Sequence, residues 1–206
     1  MKTIWAEKAL TVDGWREQVR VVIDDNGRIH SIKANSFADG DTVGILLPAP
    51  ANLHSHAFQR AMAGMTEGRG SNGNDSFWTW RTLMYQFLLH LEPSDVEAIA
   101  AFAQMEMLEA GYSSVAEFHY VHHQADGAAY DDIAELSKRI MAAAGETGIG
   151  LTLLPVLYEQ GGCDGRPLVG GQLRFANDAE EFLKLQVSAA KEIVNESMVT
   201  KSQYSS

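Results

Sequence analysis

Residues 45–56 read Ile45-Leu46-Leu47-Pro48-Ala49-Pro50-Ala51-Asn52-Leu53-His54-Ser55-His56, an almost wholly apolar run that ends on two histidines one residue apart. The run has no helical period, which predicts a strand covered on both faces, as in parallel α/β sheets. Beyond it the pattern alternates. Residues 57–75 are loop-like and glycine-rich, and Asp75 or Ser76 caps a helix expected to run to about Leu91. A second helix is expected over Asp95 to Ala110, opened by a Ser94-Asp95-Val96-Glu97 capping box and stopped at Gly111. Then come a β-prone stretch (Tyr112 to Phe118), a helix (Asp131 to Ala144), a buried strand (Ile149 to Tyr158) and a helix (Ala179 to Val194). Strands separated by helices imply βαβ crossovers and a parallel sheet. Three strand-plus-helix units can be counted, whereas a closed (β/α)8 barrel needs eight and typically about 250 residues.

Upstream, the alternation of Val19, Val21 and Ile23 with Ile29 and Ile32 about Asp25-Asn26-Gly27 predicts a β-hairpin, since Asn-Gly accepts the positive φ angles of a tight turn. Residues 1–47 are therefore expected to form a small β-rich unit, separate from the α/β part over 48–206.

The 206 residues carry 16 Lys+Arg against 27 Asp+Glu, a formal charge of −11. Such a surface repels phosphate backbones and anionic headgroups, which argues against nucleic acid and membrane as partners. Apolar stretches such as Gly148 to Tyr158 fall short of the roughly 20 residues that span a bilayer, and Glu7 interrupts the N-terminus before any signal-type apolar segment. The single cysteine, Cys163, fits a reducing compartment, so the cytoplasm is the expected location.

In Leu53-His54-Ser55-His56 both imidazoles leave the same side of a strand, where they can chelate a divalent ion. With seven histidines in 206 residues, roughly 0.2 such pairs arise by chance, so spacing alone leaves two solvated loop histidines as an even alternative. Position favours the ligand reading, because side chains just past the carboxyl end of a parallel strand face the functional crevice.

Together, Asn52-Leu53-His54-Ser55-His56-Ala57-Phe58-Gln59-Arg60-Ala61-Met62-Ala63-Gly64, NDSFWTWRTLMY, EMLEAGYSSVAEFHYVHH and GIGLTLLPVLY resemble the amidohydrolase superfamily and, more narrowly, its formimidoylglutamate deiminases. The resemblance runs from near the N-terminus to about Leu185, while 187–206 departs from the pattern. It implies a partial (β/α)8 TIM-type barrel behind a small β-sandwich-like unit. It also implies one divalent ion, usually zinc, with His54 and His56 as two of its ligands. The expected reaction is hydrolytic deimination of N-formimino-L-glutamate to N-formyl-L-glutamate and ammonia by a zinc-activated hydroxide, in histidine degradation. The remaining ligands and the acid/base residues are expected beyond this chain, so the chain is expected to be an incomplete, inactive N-terminal part of a homodimeric enzyme.

The substrate carries two carboxylates, which need locally placed donors in an acidic protein. Gln59, in the loop after the first strand, Tyr120, just past the second, and Arg81, in Phe77-Trp78-Thr79-Trp80-Arg81, are the candidates; the resemblance tips each toward substrate binding over an ordinary loop, packing or surface role. His119, His122 and His123 are expected in hydrogen-bonding roles behind the metal site. Phe77, Trp78 and Trp80 are expected to pack, Met105 and Met107 to fill core, and Glu117 receives no role. Two other readings stay open: another aminohydrolase of the superfamily acting on a purine-like ring or a different amidine, and a non-catalytic fragment that depends on a partner.

Overall fold

Gly40 illustrates how the first unit is tied together: its φ is +74°, and a Cβ there would lie 2.4 Å from the Thr3 carbonyl oxygen, so only glycine fits. The computed structural model describes residues 1–65 and 77–203, side chains excepted at 78 and from 193 onward, and separates into two units, Met1–Pro50 and Ala51–Ser206. The first unit is a four-stranded sheet of β1 (Lys2–Thr11), β2 (Gly14–Ile23), β3 (Ile29–Lys33) and β4 (Asp41–Leu46), in the order β3-β2-β1-β4. The β2–β3 hairpin forms as the alternation predicts, with Gly27 at φ +76°. Its turn is closed by the Asp24 carboxylate, which accepts the Asn26 and Arg28 amides, each at 2.9 Å. Ala6, Ala9, Val19 and Val21 form a small buried core.

The apolar run over 45–53 is not one strand. β4 ends at Leu46 and pairs parallel to β1, whereas β5 (Ala51–Ser55) opens the second unit. Pro48 and Pro50 lie between them; neither has an N–H to give to a ladder, which ends one strand before the next begins. Nor is the run covered on both faces: Ile45 is 65% and Leu53 79% exposed.

The second unit continues with a 3-10 turn (Ala57–Met62), α1 (Phe77–Leu88), α2 (Pro93–Glu109), β6 (Ser114–His119), α3 (Glu135–Thr147), β7 (Gly150–Pro155), a second 3-10 turn (Gly170–Phe175) and α4 (Ala179–Gln203). β5, β6 and β7 pair parallel in that order, so the unit is an α/β fold with helices between its strands. The expected cap of α1 at Asp75 or Ser76, and the packing of Trp78, lie outside the described residues. α2 begins two residues earlier than the Ser94 box implies: the Asp95 carboxylate accepts the Glu92 amide at 3.0 Å, and Pro93 occupies the first turn, where a missing N–H costs nothing. Gly148, at φ +78°, closes α3 in the left-handed conformation. Leu88, Ala100, Leu136, Ile140 and Phe175 are buried in one core where the helices meet the loops. Against expectation, Met105 stays outside it, 40% exposed, whereas Phe77, though 62% exposed, stacks on Trp80 with ring centroids 5.8 Å apart. Among the described residues, no helix is long and apolar enough to cross a membrane.

The buried Arg174 ties this core to its loops. Its Nε donates to the His123 carbonyl at 2.8 Å and its Nη1 to the carbonyls of Leu88 and, at 3.1 Å, Leu91. In return the Arg174 carbonyl accepts the amides of His122 and His123. One side chain thereby holds the segment after β6 against the end of α1.

Candidate metal centre

Strand β5 meets β6 with a break in register. Asn52 stands opposite Val115, but Ser55, three residues on, stands opposite Glu117, only two residues on. The extra residue is a bulge, a device that re-aims side chains at a strand end. Within it the Asn52 side-chain oxygen accepts the His54 amide at 3.2 Å. The outcome is convergence: Nε2 of His54 lies 3.0 Å from Nε2 of His56.

His56 Nδ1 lies 2.9 Å from the Phe118 carbonyl, an acceptor, so the proton sits on Nδ1 and Nε2 keeps its lone pair. Burial lowers the His56 pKa, the Phe118 bond opposes this, and neighbouring His54 lowers it further. A neutral ring is what a metal ligand must be. Two nitrogens at about 2.0–2.1 Å from a tetrahedral ion stand roughly 3.3–3.4 Å apart, so the pair needs to open by only a few tenths of an ångström. The donor set thus fits two ligands of a divalent ion. Among the described residues no group of three or more His, Cys, Asp or Glu side chains could complete it.

Behind the pair sits a residue the sequence left unassigned. Glu117 is 3% exposed, its Oε1 accepts the Ala57 amide at 2.7 Å, and buried Ser55 stands opposite it in the register. Burial raises its pKa, and the surrounding polar groups, the Ala57 amide among them, oppose the shift. Its one sequence signal was a carboxylate inside the otherwise apolar stretch Val115-Ala116-Glu117-Phe118.

Gln59 and Tyr120 meet beside the histidines. The 3-10 turn brings Gln59 back toward the sheet, its amide donating to the His56 carbonyl at 2.9 Å. Its side-chain Nε2 donates to the Tyr120 hydroxyl at 2.8 Å. The Tyr120 ring packs edge-on against His56, with centroids 5.1 Å apart. The hydroxyl proton points to the Met84 sulfur, 3.8 Å away and a weak acceptor, and burial pushes the Tyr120 pKa up to about 12. The phenol is therefore a neutral donor with little to lose by turning to a better acceptor.

Arg81 is placed differently. Its Nε donates to the Tyr85 hydroxyl at 2.8 Å, and it lines a cavity of about 420 Å³ with Tyr85, Arg166 and Gln172, a lining that includes neither histidine, nor Gln59, nor Tyr120. The structure thus gathers four of the five sequence candidates and sets Arg81 on a neighbouring cavity. His119, His122 and His123 are all buried; His122 and His123 use Nε2 on the carbonyls of Val156 and Ala176. Burial holds the His122 pKa down to about 4 and that of His119 well below the ordinary histidine range.

Parallel strands alternating with helices, and paired imidazoles just beyond the first of them, describe an amidohydrolase. The amidohydrolase family model matches residues 45–203, and the chain belongs to that family. The model described as formimidoylglutamate deiminase HutF, N-terminal domain, matches residues 1–42. The chain is 54% identical over 187 residues to a formimidoylglutamate deiminase of Pseudomonas aeruginosa, covering 90% of this chain and 41% of that protein. The crystal structure of an amidohydrolase from Brucella melitensis superposes with a TM-score of 0.89 at 45% identity, over 95% of this chain and 44% of that one. A zinc-bound adenosine deaminase from Xanthomonas campestris shares the fold, with a TM-score of 0.60 at 14% identity over 92% of this chain and 39% of that one. The chain thus spans about two fifths of the length of these relatives.

Proposed function

We propose that this chain forms the first part of a formimidoylglutamate deiminase of histidine degradation, a cytoplasmic, homodimeric enzyme whose strands close into a (β/α)8 barrel. The observation that carries the reading is the 3.0 Å approach of the two Nε2 atoms at the end of β5, in a chain 54% identical to a deiminase of that name.

In this reading His54 and His56 hold one divalent ion, zinc, and the other ligands come from outside this chain. When bound, zinc supplies hydroxide near neutral pH by lowering the pKa of water to about 7. The chain's own part is to bind and orient. His56, with Nδ1–H on the Phe118 carbonyl, presents a fixed lone pair. Tyr120 turns its hydroxyl from Met84 to a substrate carboxylate, and Gln59 offers its second amide hydrogen to the same group. Arg81 takes the other carboxylate from the adjacent cavity. In the net reaction water adds across the formimino C=N carbon, that C–N bond breaks, and ammonia leaves with the proton balance closed by the added water.

The test is ammonia release by the full-length, zinc-supplied protein from N-formimino-L-glutamate, set against guanine, adenosine and simple amidines. Selective turnover of the first, with N-formyl-L-glutamate as product, supports the reading; preference for a purine overturns it.

A further inference from the structure

The bulge at the end of β5 poses a physical problem. An extra residue leaves local backbone unpaired, and the segment that carries both imidazoles lies at the end of its strand, where ladder hydrogen bonds stop. Something other than the sheet must fix where His54 and His56 point. His54 is exposed and cannot be held by packing alone.

We propose that Glu117 is the positioning residue of the histidine pair, its buried carboxylate holding the chain directly after His56 through the Ala57 amide while Ser55, directly before His56, packs opposite it in the register. The reasoning starts from strand alternation. His54 and His56 leave one side of the strand and Ser55 the other, where it is buried opposite Glu117. Along β6, Glu117 and Phe118 face opposite ways. Phe118 therefore lies with the imidazoles, its ring 5.5 Å from that of His54 and 5.4 Å from that of His56, while its carbonyl takes His56 Nδ1–H. Glu117 reaches the backbone from behind, with Oε1 2.7 Å from the Ala57 nitrogen. Two consecutive residues of β6 thus hold His56: Phe118 through the ring, by its carbonyl on Nδ1–H, and Glu117 through the amide of the residue that follows it.

The same bond opens the 3-10 turn that delivers Gln59, because Ala57 is the first residue of that turn and its amide has no partner within it. A buried carboxylate is costly unless hydrogen-bonded, so its presence here needs the Ala57 amide as much as that amide needs it. The inference rests on the reading of His54 and His56 as metal ligands, and it assigns Glu117 no contact with the ion or with substrate.

The experiment is a Co²⁺ titration of the full-length protein, which supplies the remaining ligands, followed by visible absorption, with amide hydrogen exchange at Ala57 measured in parallel. Glu117→Ala is expected to weaken Co²⁺ binding by about 10- to 100-fold and to speed Ala57 exchange by about 10-fold or more. Glu117→Gln keeps an oxygen for the Ala57 amide and is expected to restore binding to within about 3-fold of the unsubstituted protein. If Glu117→Ala does not accumulate folded, Glu117→Asp, whose shorter side chain draws the carboxylate back from the Ala57 amide, should still weaken Co²⁺ binding and speed Ala57 exchange. Unaltered Co²⁺ affinity in Glu117→Ala or Glu117→Asp, failure of Glu117→Gln to rescue, or absence of a Co²⁺ band from the unsubstituted protein overturns the assignment. A wrong substrate reading leaves these titrations as expected and appears only in the ammonia assay.

Discussion

The Gln59 side-chain amide donates to the Tyr120 hydroxyl at 2.8 Å, joining a residue of the turn after β5 to one just past β6, the neighbouring strand. The two groups arrive from positions 61 residues apart, and the Tyr120 ring that carries the hydroxyl packs edge-on against His56. A hydroxyl that accepts from an amide and donates to sulfur keeps its proton on a weak acceptor.

Tyr120→Phe keeps the ring contacts with His56 and Phe175 and removes only that hydroxyl. A hydrogen bond to a charged group is worth about 1.5–3 kcal/mol, so KM for N-formimino-L-glutamate should rise roughly 10- to 100-fold in the full-length enzyme, with kcat changing less. Steady-state ammonia release measures both; an unchanged KM removes Tyr120 from the substrate site.

Arg174→Met retains much of the side-chain volume but strands the carbonyls of Leu88, Leu91 and His123 in a buried place. At about 1–3 kcal/mol for each buried group left unsatisfied, the variant should lose roughly 3 kcal/mol or more. Urea unfolding of the chain reads this directly, and a loss below about 1 kcal/mol would show that these carbonyls find other partners.

Stability should also fall in mild acid because of His122. Burial holds its folded pKa at about 4, against an ordinary value of 6.5, so between those values the unfolded chain binds more protons than the folded one. Its contribution is therefore complete above pH 6.5 and is lost as pH falls toward 4, by roughly 3 kcal/mol. Comparing urea midpoints at pH 7 and pH 5 for the chain and for His122→Gln, which retains a donor for the Val156 carbonyl, should show a smaller pH response in the variant. Equal responses would mean that His122 does not carry this dependence.

Much of the architecture was legible because period and punctuation agree. The hairpin follows from alternation around Asn26-Gly27 and the parallel sheet from strands that alternate with helices, while α3 starts later and ends later than the Asp131 to Ala144 period implies, running from Glu135 through Gly145 to Thr147. The run over 45–53 misled because composition records apolar character, not exposure, while two prolines carried the boundary. At the site, spacing and position together made His54 and His56 candidates and the family resemblance added Gln59 and Tyr120; each lies near the end of a strand or just past it, which is why the structure brings the four together. The place of Arg81 on a different cavity could not, because α1 is set by packing that no local pattern encodes. Nor could the work of Glu117, which depends on a one-residue slip in register between two strands 60 positions apart.

The central claim, that His54 and His56 hold the divalent ion, is tested most directly by zinc content after equilibrium dialysis, comparing the full-length protein with its double variant His54→Ala, His56→Ala. One site per chain is expected, abolished by the double substitution while Gln59→Ala retains it. Equal zinc in the double variant and the unsubstituted protein would contradict the account.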